Sequence, residues 1–172
     1  MRKFLILLLS TYLALIFLMP KVNLYYTLKQ QLQREHVTMT QERLQDRWFD
    51  LKIEGMKLYY DGIESADAER VEVLAWLLFN RIEAEGVRAG KDLRKLFDFR
   101  ADRVVVIHSV IHPTEAALHA EGNFGTVSGK LNLKSGKIHL TIEPSARFRQ
   151  SAAFRELFRK SGEGYIYEST LY

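Results

Sequence analysis

Gly122-Asn-Phe-Gly-Thr-Val-Ser-Gly-Lys-Leu-Asn-Leu-Lys-Ser-Gly-Lys-Ile-His-Leu-Thr-Ile-Glu-Pro144 carries glycines and lysines in an order that invites comparison with a phosphate-binding loop. Such a loop needs G-x-x-x-x-G-K-[ST] at the opening of a helix. Neither Gly129-Lys130-Leu131 nor Gly136-Lys137-Ile138 supplies the Ser or Thr, and Phe124 and Leu131 stand where the upstream glycines belong. Alternation decides the reading instead. Val127, Leu131 and Leu133 point one way, with Lys130, Asn132 and Lys134 opposite; Ser135-Gly136 turns the chain. Ile138, Leu140 and Ile142 then share a side, with His139, Thr141 and Glu143 behind them. A period of two with one apolar side predicts a half-buried β-hairpin, and the glycines become bends or close approaches in a sheet.

The same period appears upstream. In Trp48–Glu64, Phe49, Leu51 and Ile53 alternate with Asp50, Lys52 and Glu54; Gly55 interrupts, and Asp61-Gly62 is a hairpin-turn signal. Val71–Ala84 fits two templates. Val71, Val73 and Ala75 alternate, whereas Leu74, Leu77, Leu78 and Ile82 form a helical stripe; strand is preferred. Lys91–Phe97 reads as one or two helical turns. Val104–Ile111, rich in β-branched residues and closed by His112-Pro113, reads as a strand at a sheet edge, open to pairing. Leu51–Leu58 echoes Leu131–Ile138, a likeness that all one-sided hairpins share. After Pro144, residues 147–160 predict a terminal amphipathic helix. Its apolar side is Phe148, Ala152, Phe154, Leu157 and Phe158, flanked by Arg147, Arg149, Arg155, Arg159 and Lys160. That helix either covers the end of the sheet, the preferred role, or rests on anionic headgroups. Gly164–Glu168 reads as a last short strand.

The N-terminus is different in kind. Met1-Arg2-Lys3 precedes sixteen residues without a charge, Phe4–Met19. At 1.5 Å per residue these cover about 24 Å, against a hydrocarbon core of about 30 Å. Val22, Leu24, Tyr25 and Tyr26 extend the apolar length, and the tyrosines suit an interface. A cleaved signal peptide wants a small-residue site, yet Leu18-Met19-Pro20-Lys21 follows; a soluble core helix wants a polar face. An uncleaved signal anchor over residues 1–22 fits best, with Arg2 and Lys3 holding the N-terminus in the cytoplasm. Residues 23–47 are read as a helical stalk and linker: Leu24, Leu28 and Leu32 form one stripe after the Pro20 break, and a polar stretch, Thr38–Arg47, follows. An ordinary surface helix is the competing reading for residues 23–36. Residues 48–172 are then the β domain.

Composition excludes several classes. The 172 residues are 47% hydrophobic and 27% charged, as in a folded domain. With no cysteine there is no disulfide, thiolate metal site or cysteine nucleophile. A net charge of +4 with no basic, aromatic-interleaved run argues against nucleic acid. His108 and His112 share strand parity, with His119 and Glu115 as further possible ligands, but no spacing fixes them as a metal site. Ser128 lies outside a G-x-S-x-G elbow. Asp61, Glu64, Asp67, Glu69 and Glu72 read as the polar side of a hairpin. No catalytic residue, cofactor or metal is expected.

Three features occur in order: the anchor ending at Pro20 before KVNLYYTLKQQL; the segment LKIEGMKLYYDGIESADAERVEV; and EGNFGTVSGKLNLKSGKIHLTIEPS with its Arg/Phe helix and GEGYIYE. Together they resemble the N component of bacterial type II (general) secretion systems, and through it the repeating β-sheet modules of AsmA-type envelope proteins. The resemblance implies an inner-membrane protein with a periplasmic β-domain and no catalytic residues. The expected fold is mainly β: one N-terminal transmembrane helix, a curved antiparallel sheet and one C-terminal amphipathic helix. The expected role is non-enzymatic, a structural or accessory subunit in envelope trafficking that contacts the membrane and other envelope or secretion proteins. The alternative is a lipid-binding or lipid-shuttling module. It requires Val127, Leu131, Leu133, Ile138, Leu140 and Ile142 to line an open groove.

Overall fold

The computed structural model describes residues 1–91, 93–94, 98–150, 159–161 and 164–170. Two helices lead, α1 (Arg2–Leu18) and α2 (Lys21–Arg34). Strands follow as β1 (Val37–Thr40), β2 (Arg43–Asp46), β3 (Asp50–Tyr60), β4 (Ile63–Trp76), β5 (Phe79–Ala89), β6 (Arg100–Ser109), β7 (Glu115–Gly122), β8 (Gly125–Asn132) and β9 (Lys137–Pro144). A short α3 (Ala146–Gln150), β10 (Arg159–Ser161) and β11 (Gly164–Thr170) complete the order. The strands make one antiparallel, open sheet in the order β1-β3-β4-β5-β6-β7-β8-β9-β11-β10, with β2 beside β1 on β3.

The hairpins predicted from alternation are present. Asp61 (φ 48°) and Gly62 (φ 81°) turn β3 into β4, and Gly136 (φ 64°) lies in the turn between β8 and β9. Val127 faces Ile142 and Leu131 faces Ile138 across β8 and β9, as the shared parity requires. Gly55 (φ 61°) and Gly86 (φ 63°) sit inside long strands, and apolar parity shifts there. Leu51 and Ile53 are buried before Gly55; Met56 and Leu58 pack on the same cluster after it. A left-handed residue mid-strand re-aims the side chains that follow, so one face stays apolar through the bend.

Several expectations change. Val71–Ala84 is strand, but two strands, broken at Leu77-Leu78 between Trp76 and Phe79. Val104–Ile111 is no edge: β6 is hydrogen-bonded to β5 on one side and to β7 on the other. The stretch read as linker through residue 47 contains β1 and β2, both paired to β3. Beneath them α2 buries Tyr25 against Met39, Leu51 and Ile53, so it belongs to the sheet's body as a covering helix. In the terminal helix only Ala146–Gln150 is described as helical. Arg159 and Lys160, placed in that helix from sequence, pair in β10 with Ile166 and Tyr165. Residues 151–158 lie outside the described residues, as do Asp92 and 95–97 of the segment expected to form helical turns.

Pro20 breaks the leading helix as expected, with a bend of 53° between α1 and α2. Among the described residues no single helix is long and apolar enough to cross a membrane; the bent pair passes together by length and composition.

Candidate functional site

Cross-strand register places one apolar row on a single face of the sheet. It runs Leu51, Val73, Ile82, Val106, Leu118, Gly129, Leu140, Tyr167, from β3 to β11. A parallel row runs Ile53, Val71, Ala84, Val104, Ala120, Val127, Ile142, Tyr165. The two ends of this face are covered. Near β3, α2 lies over Leu51 and Ile53. Near β9, Phe148 of α3 is 1% exposed against Ile142 and meets Tyr165 edge-on at 5.2 Å. Each buried side chain of this size contributes about 1.5–3 kcal/mol. Between the covered ends, Val106, Leu118 and Leu140 are half-buried, and Ile82 is exposed. Of the six residues whose cover distinguishes a closed core from a groove, Val127 and Ile142 are buried. Leu131, Ile138 and Leu140 are half-buried, and Leu133 is exposed. An apolar cavity of about 190 Å³ adjoins the open band, between Leu24, Tyr25 and Leu28 of α2 and Leu51, Val73 and Ile82 of the sheet. That volume is below the usual range for a small-molecule pocket and suits a short stretch of hydrocarbon. Burial, and next the neighbouring Tyr26, pushes the Tyr25 hydroxyl's pKa up; the hydroxyl donates to Gln41 Oε1 at 3.0 Å.

The other face is charged and self-complementary. Glu54, Arg70, Glu85, Arg103 and Glu121 stand in one cross-strand row of alternating sign. Arg70 reaches Glu85 at 3.2 Å, and Arg103 pairs with Glu83. The hydrogen bond from Lys52 holds Glu54's carboxyl below its ordinary range, and Glu83 raises the Arg103 guanidinium in the same way. Asp67, one of the carboxylates singled out from sequence, is buried and receives Arg88 at 2.9 Å and Arg94 at 2.8 Å. Glu64, also buried, accepts the Lys91 N–H at 3.2 Å. These are satisfied structural pairs.

The histidines divide. His108 Nε2 lies 3.2 Å from the Pro113 carbonyl, and His139 pairs with Glu168 at 3.0 Å across β9 and β11. His112 is in the β6–β7 turn, its backbone N–H donating to the Ser109 carbonyl at 3.1 Å. Among the described residues no three His, Asp or Glu side chains converge as a metal-ligand set. Sequence reading missed one chain of hydrogen bonds: His119 Nδ1 is 3.0 Å from Ser128 Oγ, and its Nε2 is 3.0 Å from Glu121 Oε1. His119 and Ser128 are direct cross-strand partners, a signal legible only once register is known. The three lie on an exposed sheet face whose N–H groups are committed to the β-ladder. The arrangement therefore lacks the recess and free donors that acyl transfer requires.

The leading helix is joined to one end of the sheet. Phe4–Leu9 are between 56% and 66% exposed, so the sheet does not cover them. Farther along, the Tyr12 hydroxyl donates to the Trp76 carbonyl at 3.0 Å, Ile16 is buried, and the Phe17 ring lies 4.3 Å from that of Trp48. Lys21, buried, donates to the Ile16 carbonyl at 3.3 Å and stands 3.7 Å from Asp46. A cation there satisfies the negative end of α1's dipole. Comparison with protein-family models, with curated proteins and with solved structures finds no match for this chain.

Proposed function

We propose that this chain is a membrane-anchored, non-enzymatic accessory subunit of bacterial envelope trafficking, of the type II secretion kind, acting through protein contacts. Residues 1–22 anchor it in the inner membrane with the N-terminus in the cytoplasm, and the sheet stands in the periplasm. One observation carries the reading: an uncovered apolar helix is fastened by Tyr12, Ile16 and Phe17 to a large single-faced sheet. A partner strand would add at the sheet's margins, β1 and β2 on one side and β10 on the other, since β6 is interior. Photocrosslinkers at Arg43 in β2 and Lys160 in β10, in intact membranes, test this. A defined envelope or secretion protein captured from either edge is the expected result; capture of none from both edges overturns it.

A second reading is favoured by a specific observation, the half-open apolar band of Val106, Leu118 and Leu140 beside the cavity under α2. A band of this kind accepts acyl chains. Native mass spectrometry of the detergent-extracted chain would then show a lipid of defined mass, lost when Leu118 and Leu140 are both changed to Gln.

A further inference from the structure

We propose that the end of the sheet nearest α1 is a bilayer-seating edge, whose turn tips enter the headgroup–acyl boundary of the membrane that α1 enters. The inference rests on the anchoring proposed above and adds to it where the folded body sits. Three turns share this end: β2–β3 at Trp48-Phe49, β4–β5 at Leu77-Leu78, and β6–β7 at Val110-Ile111. They are laced together, for Trp76 Nε1 donates to the Phe49 carbonyl at 3.1 Å and the Val110 N–H to the Leu78 carbonyl at 3.1 Å. Turn tips are ordinarily polar, with Gly, Asn or Asp. Here Trp48 is 60% exposed, Leu78 53%, Val110 48% and Ile111 80%.

The backbone adds an independent observation. Trp48 (φ 71°) and Leu77 (φ 47°) occupy the left-handed region, where a bulky side chain is costly and glycine or asparagine is favoured. The sequence therefore keeps large apolar side chains at two tips against the preference of the fold. Such a conflict points to a role outside the folded core. Two of the turns at the sheet's opposite end are Asp61-Gly62 and Asn123-Phe124, with Phe124 buried and stacked on Phe99 at 5.1 Å; Tyr60 and Ile63 are exposed beside the first.

The occupant follows from what else is fastened here. Tyr12 is bonded to Trp76, and Phe17 contacts both Trp48 and Phe49, so the apolar helix emerges among these tips. The sheet's end holds α1 from Tyr12 onward, so Arg2–Thr11, about 15 Å of helix, projects beyond the tips, against a core of about 30 Å. A helix that short draws its attached end down to the interface. Tryptophan and aliphatic tips then become favourable. The next turn, Leu133-Lys134-Ser135-Gly136, mixes the exposed Leu133 (43%) with Lys134 and Ser135, so the fully apolar part of the edge runs from β2 to β7.

The absence of cysteine from the chain makes the test direct. Full-length Leu78→Cys, Ile111→Cys and Asp61→Cys variants are spin-labelled and placed in vesicles of phosphatidylethanolamine and phosphatidylglycerol. Collision of each label with oxygen and with a water-soluble nickel chelate is then measured. The oxygen-to-nickel ratio should rise several-fold at residues 78 and 111 over residue 61. If the chain resists carbonate washing but the three ratios agree, seating is wrong and anchoring stands. If the chain washes off the vesicles, anchoring and seating both fail.

Discussion

At the residue scale, Leu77 and Gly125 make opposite statements about backbone preference. Leu77 holds φ 47° without a glycine's freedom, so Leu77→Asn should stabilise the detergent-solubilised chain by about 1 kcal/mol, read as a higher urea midpoint. Gly125 holds φ 110°, and a Cβ there would meet the Glu143 carbonyl. Gly125→Ala should cost about 2 kcal/mol or more by the same measurement. Tyr25 gives a pH signature. Its folded-state pKa is raised by burial, so its stabilising contribution is full below the unfolded value of about 10 and declines as pH rises through the folded one. Packing of α2 should loosen in that alkaline range, and Tyr25→Phe should remove this part of the pH dependence. An alkaline unfolding profile identical in both proteins would contradict the assignment. Glu54 runs the other way: its depressed carboxyl stabilises above the ordinary carboxylate range and ceases to as pH falls through the folded value. The effect is small because the group is open to solvent.

At the element scale, the β-hairpins were legible wherever turn chemistry and alternation agreed. Asp61-Gly62 and Ser135-Gly136 announce themselves because both turns use a residue that tolerates positive φ. The Leu77-Leu78 turn does not, and a helical stripe through Leu74, Leu77, Leu78 and Ile82 hid it; only the strained backbone makes that turn. The β1 and β2 strands were missed because four-residue segments carry too little alternation to separate strand from linker. The place of β6 was misread for another reason: a strand's neighbours are set by pairing, which composition does not encode. Energetics should follow cover along the apolar face. Phe148→Ala, at a closed end, should cost about 3–5 kcal/mol, whereas Leu140→Ala, half-open, should cost less than about 2 kcal/mol. Equal losses in urea unfolding would mean that the central band is closed.

At the scale of the whole molecule, one sheet carries two incompatible surfaces and an apolar leading helix that it leaves exposed over Phe4–Leu9. The charged face is closed on itself by cross-strand ion pairs, which leaves the apolar face, the strand edges and the turn tips as the surfaces with unspent interaction energy. Candidate chemistry was legible in the sequence only as scattered groups. The hydrogen-bonded row Glu121, His119, Ser128 arises from register, and the tip cluster of Trp48, Leu78 and Ile111 joins residues far apart in the chain. Both depend on topology rather than on any local motif. The account stands first on the tether, and the mass of the polypeptide recovered from carbonate-washed bacterial membranes tests it most directly. The account predicts a chain that sediments with the membranes and still contains Phe4–Met19. A chain found in the soluble fraction, shortened behind its first twenty or so residues, would contradict it.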